Sequence, residues 1–286
     1  MTRVLSRTDV GELLAEHGLA PRRQLGQNFV ADPNTVRRIA RLAGVGPGDH
    51  VVEIGAGLGS LTLALAETGA EVLAVEVDRG LVPVLREVVA DHPNVQVVEA
   101  DAMHADWAAL LAASPRWVLV ANLPYNVATP LVCDLLDGVP AIERMLVMVQ
   151  REVAERFCAT PRTEAYGAVS VKVSYWATAR LAGLVPASVF VPRPNVESAL
   201  ADITRRAEPA TDARPDTMFR LIRTAFGQRR KMLRRSLADV VPAEVFETAG
   251  IDAQRRPEEL DVDEWGRLAK ALDAARTGDA PAQAAP

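Results

Sequence analysis

The stretch of sequence that decides the fold is HVVEIGAGLGSLTLALAETGAEVLAVEVD, residues 50–78. It starts with a short apolar run, crosses a glycine-rich turn into an amphipathic helical pattern, and ends in a second apolar run. Two apolar runs joined by such a helix are typical of parallel strands in a single sheet. We therefore predict a β-α-β unit whose first strand leads into a glycine turn.

The same alternation continues towards the C-terminus. Further apolar runs, each followed by a helical pattern, are VQVVEAD (95–101), RWVLVANLP (116–124) and ERMLVMVQ (143–150). Nearly continuous Val, Leu and Ile residues indicate strands that are covered on both faces. We predict an α/β fold with a Rossmann-like, doubly wound, mainly parallel sheet. We expect two later segments to add strands at one edge, AVSVKVSYWATARL (168–181) and VESALADITR (196–205).

The pattern changes after residue 206. Residues 207–217, AEPATDARPDT, are polar and contain proline, as expected of a linker. Beyond them, Phe219, Ile222 and Phe226 follow helical spacing, and no further strand pattern occurs. We predict three parts, namely an α/β domain with an N-terminal helical extension (1–206), a small all-α domain (207–276) and a disordered tail (277–286).

The composition is that of an ordinary globular protein, with 49% hydrophobic and 24% charged residues in a chain of 286. No apolar run reaches the roughly 18–20 residues that a membrane-spanning helix needs, and the N-terminus has no apolar signal segment. Two cysteines are too few for a disulfide framework, and the four histidines show no metal-ligand spacing. The sequence therefore predicts a cytoplasmic protein without a metal site or a membrane partner.

The charge of the chain is unevenly distributed. The formal net charge is −5, yet residues 205–240 hold ten Arg or Lys against four acids, a local net charge of +6. Such segregation is typical of a protein that binds nucleic acid, although a solvated, arginine-rich helix would have the same composition. We predict that the basic residues of GQRRKMLRRS (227–236) lie on a helix and bind RNA phosphates, namely Arg229, Arg230, Lys231, Arg234 and Arg235.

The glycine turn and a following acid indicate a cofactor that contains adenosine. Gly55, Gly57 and Gly59 stand between the first strand and the first helix, where glycine lets backbone and ligand approach closely. Glu76 ends the second strand, 21 residues after Gly55, where a carboxylate can accept from ribose hydroxyls. The third glycine of the dinucleotide pattern would fall at Ser60. The motif alone leaves open NAD, S-adenosylmethionine and a plain tight turn.

Two more polar residues follow the next strands. Asp101 ends the third strand and Asn122 ends the fourth. Ligands of such sheets bind beyond the carboxyl ends of the strands, so these side chains should share one rim with Gly55 and Glu76. An acid at the third position suits a hydrogen bond from an adenine amine.

The segment Asn122-Leu123-Pro124-Tyr125 predicts a site for a flat amine. Pro124 has no N–H and biases Leu123 towards an extended conformation, which can leave the Leu123 carbonyl free to accept a hydrogen bond. The Asn122 side-chain oxygen is a second acceptor, and Tyr125 offers a ring on which a base can stack. This combination suits the exocyclic amine of a base, although an Asx-type turn with a packed tyrosine is the plainer alternative.

These segments also occur together in a known family. Over about residues 15–240, the chain resembles the small-subunit (16S) rRNA adenine N(6)-dimethyltransferase family. The resemblance rests on seven segments in order, LGQNFVAD (25–32), VVEIGAGLGSLT (51–62), AVEVD (74–78), EADAMH (99–104), ANLPYNVATPL (121–131), VFVPRPNVESAL (189–200) and AFGQRRKMLRRSL (225–237). It implies the fold of class I S-adenosylmethionine-dependent methyltransferases, with S-adenosylmethionine as the cofactor.

The resemblance also implies roles for individual residues. The family's cofactor contacts fall on Asn28, Val30, Gly55, Glu76, Asp101 and Asn122, to which the glycine turn adds Gly57. Tyr125 and Phe190 would sandwich the target adenine, while Asn122 and the backbone of residues 122–125 hold its amine. Without the family, a phenylalanine at position 190 is more typical of a core.

Members of this family dimethylate the exocyclic amines of two adjacent adenines near the 3′ end of 16S rRNA during small-subunit maturation. The resemblance thus implies a partner, 16S rRNA within a pre-small-subunit particle, and we expect the free protein to be monomeric. One alternative is a large-subunit rRNA adenine methyltransferase of the macrolide-resistance type. An NAD-dependent oxidoreductase is disfavoured by the missing third glycine, and a third alternative is an assembly factor in which methylation is secondary.

Overall fold

The structure is a computed structural model that describes residues 4–278. It consists of two compact units, residues 4–155 with 179–205 and residues 156–178 with 206–278. Most of the predicted tail, residues 279–286, lies outside the described residues. Within the described residues, no helix is both long and apolar enough to cross a membrane.

Helices and strands alternate through most of the first unit. The helices, in chain order, are α1 (Arg7–Glu16), α2 (Pro33–Ala43), α3 (Ser60–Ala66), α4 (Leu81–Val88), α5 (Trp107–Leu110), α6 (Ala128–Gly138), α7 (Arg151–Cys158), α8 (Ala168–Trp176), α9 (Pro215–Phe226), α10 (Leu233–Ser236), α11 (Ala243–Ala249) and α12 (Val262–Thr277). The strands are β1 (Phe29–Val30), β2 (His50–Ile54), β3 (Glu71–Glu76), β4 (Val95–Glu99), β5 (Trp117–Asn122), β6 (Ile142–Gln150), β7 (Ala177–Val185), β8 (Phe190–Val191) and β9 (Ser198–Arg205).

The first unit is built on a seven-stranded sheet with the strand order β4-β3-β2-β5-β6-β9-β7. The strands from β4 to β6 are parallel to their neighbours, and β9 pairs with β6 in the antiparallel direction. The chain builds outward from β2 through β3 to β4 and then returns to place β5 on the other side of β2. The predicted doubly wound α/β sheet is confirmed, and its switch point lies between β2 and β5, where ligands of such sheets bind.

The glycine turn after β2 has a backbone that few other residues adopt. Gly55, Gly57 and Gly59 have φ angles of 74°, 60° and 90°. A Cβ at Gly57 would lie 3.1 Å from the Phe29 ring, and one at Gly59 would lie 3.0 Å from the Leu85 side chain. The turn therefore needs glycine both for its φ angles and for the close approach of its neighbours.

The second unit is helical and has its own core, in which Trp265 is fully buried. Residues 168–176 were predicted as a strand, and this prediction is wrong because they form α8, with β7 starting only at Ala177. Val171, Val173 and Tyr175 are all buried, which produces the alternating pattern of a strand. A helix enclosed on more than one side is not restricted to one apolar stripe.

The boundary between the two units also departs from the predicted one. Residues 156–178, which include α8, belong with the C-terminal helices and not with the α/β sheet. Within that unit, the Tyr175 ring packs edge-on against Phe219 at a centroid distance of 5.2 Å. The predicted strand over residues 196–205 is present as β9.

Tyr166→Phe is expected to destabilise the second unit. The buried Tyr166 hydroxyl donates a 2.7 Å hydrogen bond to the Leu260 carbonyl, and burial raises the pKa of this phenol. Removing the hydroxyl leaves a buried carbonyl without a donor, which should lower the free energy of unfolding by about 1–3 kcal/mol. Chemical denaturation measures this loss. Thr224→Ala is the control because its exposed hydroxyl bonds within α9, and an equal loss in both variants would contradict the account.

Candidate cofactor and substrate site

The carboxyl ends of β2, β3 and β5 surround a pocket in the first unit. The pocket is lined by the glycine turn, by Glu53 and Glu76, and by residues 122–125. The pocket and its open mouth together contain about 740 Å³ of empty space, of which about 80 Å³ can hold the centre of a water molecule. In the described part of the chain, no lysine or arginine lines it. The pocket is therefore acidic.

Glu76 is buried and holds the glycine turn in place. Its Oε2 accepts a 2.7 Å hydrogen bond from the Gly57 N–H, and its Oε1 accepts bonds of 2.9 Å from the N–H groups of Val77 and Asp78. Burial raises the pKa of Glu76, the three backbone hydrogen bonds oppose this shift, and the Asp78 carboxylate adds to it. An oxygen has two lone pairs, so Oε2 retains one acceptor position for a ligand hydroxyl.

Asp101 lies in an adjoining cavity that shares part of its wall with the first pocket. Its carboxylate accepts a 2.9 Å hydrogen bond from the Met103 N–H and lies 3.0 Å from the His104 Nδ1. The contact with His104, and then the bond from Met103, lower the pKa of Asp101. The apolar walls of this cavity include Ile54, Val77 and Leu131. The cavity therefore combines a carboxylate edge with apolar surfaces, as a flat heterocycle requires.

Residues 25–30 close one side of the pocket. This segment is fastened by the buried Asp78, whose Oδ2 accepts a 2.7 Å hydrogen bond from the Gln27 Nε2. The other oxygen, Oδ1, lies 3.1 Å from the Arg22 guanidinium. Two residues that the resemblance assigned to the cofactor lie in the closing segment and line the pocket, Asn28 and Val30.

Asn122 and Leu123 present two free acceptors at the switch point. The Asn122 Nδ2 donates a 3.0 Å hydrogen bond to the Asn28 carbonyl, which orients the amide, and its Oδ1 accepts nothing from the described residues. The Leu123 N–H donates to the Met148 carbonyl at 3.0 Å, whereas the Leu123 carbonyl accepts no bond within the described chain. The two acceptors expected ahead of Pro124 are therefore both available.

Tyr125 borders both the pocket and a polar groove beyond it. Its hydroxyl is 2.8 Å from the Ser198 Oγ, which fixes the partly buried ring. Burial raises the pKa of Tyr125, and the bond with Ser198 opposes this shift. The polar side chains of the groove include Gln24, Asn126, Gln150, Arg193 and Asn195. A ring held at its hydroxyl beside this groove suits the stacking of a base.

Phe190 is not placed as the resemblance implied. Its side chain is fully buried in the core of the first unit, and its backbone pairs with Val30 in a two-stranded ribbon of β1 and β8. It lines neither the pocket nor the groove. Its buried position is the one expected of a phenylalanine when the family resemblance is left aside.

The basic segment of the second unit is not a continuous helix, contrary to the prediction. Turns occupy residues 227–230, residue 231 is a bend, and α10 begins at Leu233, whose N–H donates to the Arg255 carbonyl and not to a helical partner. Arg229 is half-buried and is held by Glu258 at 2.5 Å and by the Glu164 carbonyl at 3.0 Å. Four of the five predicted cations are exposed and form no ion pair within the described residues, Arg230, Lys231, Arg234 and Arg235.

Sequence reasoning missed three residues of the site. Ser198 orients Tyr125, and Val77 is 47% exposed and forms an apolar wall. Glu53 lines the pocket at 2% exposure, and burial raises the pKa of its carboxyl to about 8. Of these three, only Glu53 could have been identified as a candidate from the sequence, because a carboxyl inside the apolar run VVEI is costly to bury without a functional reason.

A mainly parallel, doubly wound sheet with a pocket at its switch point and a free pair of acceptors beside it is the arrangement expected of a class I methyltransferase. The profile of the ribosomal RNA adenine dimethylase family matches residues 18–274. The chain belongs to this family.

Named relatives and solved structures agree with this assignment. Ribosomal RNA small subunit methyltransferase A of Bifidobacterium adolescentis is 45% identical over 286 residues, covering 94% of each chain. The protein of the same name from Streptomyces avermitilis is 46% identical over 288 residues, covering 97% of each chain. Among solved structures, the 23S rRNA methyltransferase ErmE has a TM-score of 0.65 at 28% identity, over 86% of this chain and 100% of that one. A dimethyladenosine transferase from Plasmodium falciparum shares the fold, with a TM-score of 0.72 at 23% identity over 86% of this chain and 97% of that one.

Proposed function

We propose that the protein transfers methyl groups from S-adenosylmethionine to the exocyclic amines of two adjacent adenines near the 3′ end of 16S rRNA, within a pre-small-subunit particle. The observation that carries this proposal is the pair of free acceptors, Asn122 Oδ1 and the Leu123 carbonyl, beside an acidic pocket. Family membership supports adenine dimethylation. The names of the relatives at 45% and 46% identity support the small subunit over the large-subunit alternative.

The pocket fits a cationic nucleoside cofactor better than a dinucleotide. Two buried polar atoms that line it, Glu53 Oε2 and Ser60 Oγ, have no hydrogen-bond partner in the described chain and are available to a polar ligand group. The carboxyl groups of Glu53 and Glu76 favour a positive ligand, whereas the pyrophosphate of NAD would meet them without a lining Lys or Arg. Glu76 is placed for ribose hydroxyls and Asp101 for the adenine amine.

The role of the protein in the reaction is to orient the amine. S-adenosylmethionine supplies a methyl group that its sulfonium already activates, so no strong base is needed before attack. Asn122 Oδ1 and the Leu123 carbonyl accept the two amine hydrogens, which aligns the nitrogen lone pair with the methyl group. The same bonds strengthen as positive charge develops on the nitrogen, so they stabilise the transition state more than the ground state.

Tyr125 and the exposed cations of the second unit account for RNA binding. Stacking on an aromatic ring contributes about 1–3 kcal/mol per base, so the Tyr125 ring can hold an adenine that has left its helix. Contacts from Arg230, Lys231, Arg234 and Arg235 to phosphates position RNA without reading its sequence. Base selection therefore belongs to the first unit.

Gly26→Ala is expected to weaken S-adenosylmethionine binding about tenfold, which corresponds to ~1.4 kcal/mol. Gly26 has a φ of 64°, and a Cβ there would lie 3.0 Å from the Pro124 Cβ and 3.1 Å from the Asn126 Oδ1. The added methyl group would push residues 25–30 away from the pocket that they close. Gly18→Ala is the matched control, because Gly18 has a φ of 62° but no atom within 4 Å of the added Cβ. Calorimetric titration compares them, and equal affinities would contradict the closing role.

Methyl transfer tests the proposed function directly. Small subunits and large-subunit RNA, both lacking their adenine methylations, are incubated with the protein and labelled S-adenosylmethionine, and the nucleosides are analysed. Dimethyladenosine in the small subunit alone supports the proposal. Label in large-subunit RNA alone assigns the protein to the resistance type, and binding of reduced NAD without methyl transfer would indicate an oxidoreductase.

A further inference from the structure

Glu53 is a buried carboxyl that takes no part in orienting the amine. It lies on β2 one residue before the end of the strand, is 2% exposed, and lines the cofactor pocket. Its Oε2 has no hydrogen-bond partner among the described residues. Buried polar groups are normally paired, so this carboxyl, with only the Thr62 hydroxyl near it as a donor in the described chain, is available to a ligand of the pocket.

The immediate surroundings of Glu53 favour its neutral form while the pocket is empty. The next strand, β3, contributes the carboxylate of Glu76, and α3 contributes the hydroxyl of Thr62 but no titratable side chain. Burial raises the pKa of Glu53 to about 8, the Thr62 hydroxyl opposes this shift, and the charge of Glu76 adds to it. Among the described residues, no cation contributes to the pKa of Glu53 and offsets the burial of a second negative charge.

The other elements next to β2 provide no compensating charge either. Strand β5 has no titratable residue along Trp117–Asn122 and ends in the neutral amide of Asn122. Asp78 follows β3 and adds a further negative charge beyond Glu76. The three arginines of α2 have other surroundings, since Arg37 binds Glu67, Arg38 donates to the Leu184 carbonyl, and Arg41 is exposed.

We propose that Glu53 is a charge sensor for the cofactor, a neutral carboxyl in the empty pocket that releases its proton when S-adenosylmethionine binds and regains one when the sulfonium charge is lost. The inference rests on the proposed function. Methyl transfer converts the sulfonium to the thioether of S-adenosylhomocysteine, and the rest of the cofactor is unchanged. A positive charge within the same enclosed pocket favours the carboxylate, and its removal favours the acid. The proton passes to solvent on binding and is taken up from solvent with product.

The proposal fixes how binding depends on pH. Because S-adenosylmethionine binding releases a proton from Glu53, its affinity rises with pH, by up to about tenfold per unit, and levels off above the pKa of the empty state. Glu53 stays neutral beside the thioether, so the affinity for S-adenosylhomocysteine changes much less over the same range. Glu53 thereby increases the affinity for S-adenosylmethionine relative to that for S-adenosylhomocysteine, and this preference is strongest at high pH.

Two other ionisable groups belong to the proposed cofactor site, and the comparison of the two ligands separates them from Glu53. His104, beside Asp101, faces the cavity assigned to adenosine, which is the same in both ligands. The ammonium group of the ligand titrates near that of an ordinary α-amino group, at about pH 8, so binding is measured at about pH 6.5. Protons released there come from the protein.

Calorimetry in buffers with different ionisation enthalpies counts the released protons. We expect the protein to release close to one proton with S-adenosylmethionine and clearly fewer with S-adenosylhomocysteine. Glu53→Gln should abolish this difference and bring the two affinities closer together. Glu99→Gln, which removes an exposed carboxyl at the end of β4, should behave like the unaltered protein. Equal proton release with both ligands in the unaltered protein would overturn the proposal.

A spectroscopic measurement on the unaltered protein covers the case in which Glu53→Gln does not fold. In protein labelled with ¹³C-glutamate, infrared difference spectra should show that the band of a protonated carboxyl disappears with S-adenosylmethionine and persists with S-adenosylhomocysteine. Persistence of the band with both bound ligands would overturn the role of Glu53 and leave the proposed function intact. Failure of both ligands to bind would overturn the proposed function itself.

Discussion

Asn122→Ala is expected to lower the rate of methyl transfer at saturating cofactor by about 10²–10³-fold, the usual effect of removing one group that stabilises charge in a transition state. The variant loses the Oδ1 that is proposed to accept from the amine, so under the proposal the developing charge on nitrogen keeps only the Leu123 carbonyl. It also loses the 3.0 Å bond from Asn122 Nδ2 to the Asn28 carbonyl, so cofactor affinity should fall as well. RNA affinity should stay within about twofold, because the proposal assigns to Asn122 neither phosphate contacts nor stacking on the base.

Single-turnover kinetics with excess cofactor separates the chemical step from cofactor binding. Asn34→Ala is the control, since it removes an exposed asparagine of α2 that does not line the pocket. A variant at position 122 with an unchanged single-turnover rate would exclude this residue from the reaction. A loss confined to cofactor affinity would reduce its role to holding residues 25–30.

Replacing the four exposed cations of the second unit by alanine is expected to weaken RNA binding and to leave methyl transfer unchanged, the opposite of what Asn122→Ala should do. RNA affinity should fall by about two orders of magnitude at moderate salt, because each lost phosphate contact removes roughly 0.7–0.9 from the slope of log affinity against log salt. Methyl transfer at saturating RNA, and S-adenosylmethionine affinity, should remain unchanged. The variant combines changes at Arg230, Lys231, Arg234 and Arg235.

Two controls make this prediction specific. The first control replaces four other exposed arginines, which carry the same total charge, by alanine and should lower RNA affinity much less. These residues are Arg41, Arg86, Arg116 and Arg276. Arg229→Ala should lower the stability of the second unit, because it removes the contacts with Glu258 and the Glu164 carbonyl. If both fourfold variants lost the same affinity and the same salt slope, net charge and not the basic segment would explain RNA binding.

The features that could be predicted from the sequence are those set by local backbone requirements. Glycines at positive φ and polar residues at strand ends follow from the geometry of a parallel sheet, so Gly55, Glu76, Asp101 and Asn122 could all be placed on one rim. The free Leu123 carbonyl follows from the proline after it, since proline restricts the residue before it.

The features that could not be predicted depend on contacts between distant parts of the chain. Residue 229 is one of five similar cations in the sequence, and only its ion pair with Glu258, 29 residues away, distinguishes it. The α8 segment has strand-like alternation because several of its sides are enclosed, which no local pattern reveals. The burial of Phe190 likewise depends on the ribbon that β8 forms with β1.

The position and number of methyl groups on the product test the central claim most directly. Small subunits that lack these methylations are treated with the protein and S-adenosylmethionine, and the 3′-terminal fragment of 16S rRNA is sequenced by mass spectrometry. We expect two adjacent adenines, each with two methyl groups on its exocyclic amine, and far less methylation by the Asn122→Ala variant over the same incubation time. Methyl groups on ring nitrogens, on ribose or at unrelated positions would contradict it.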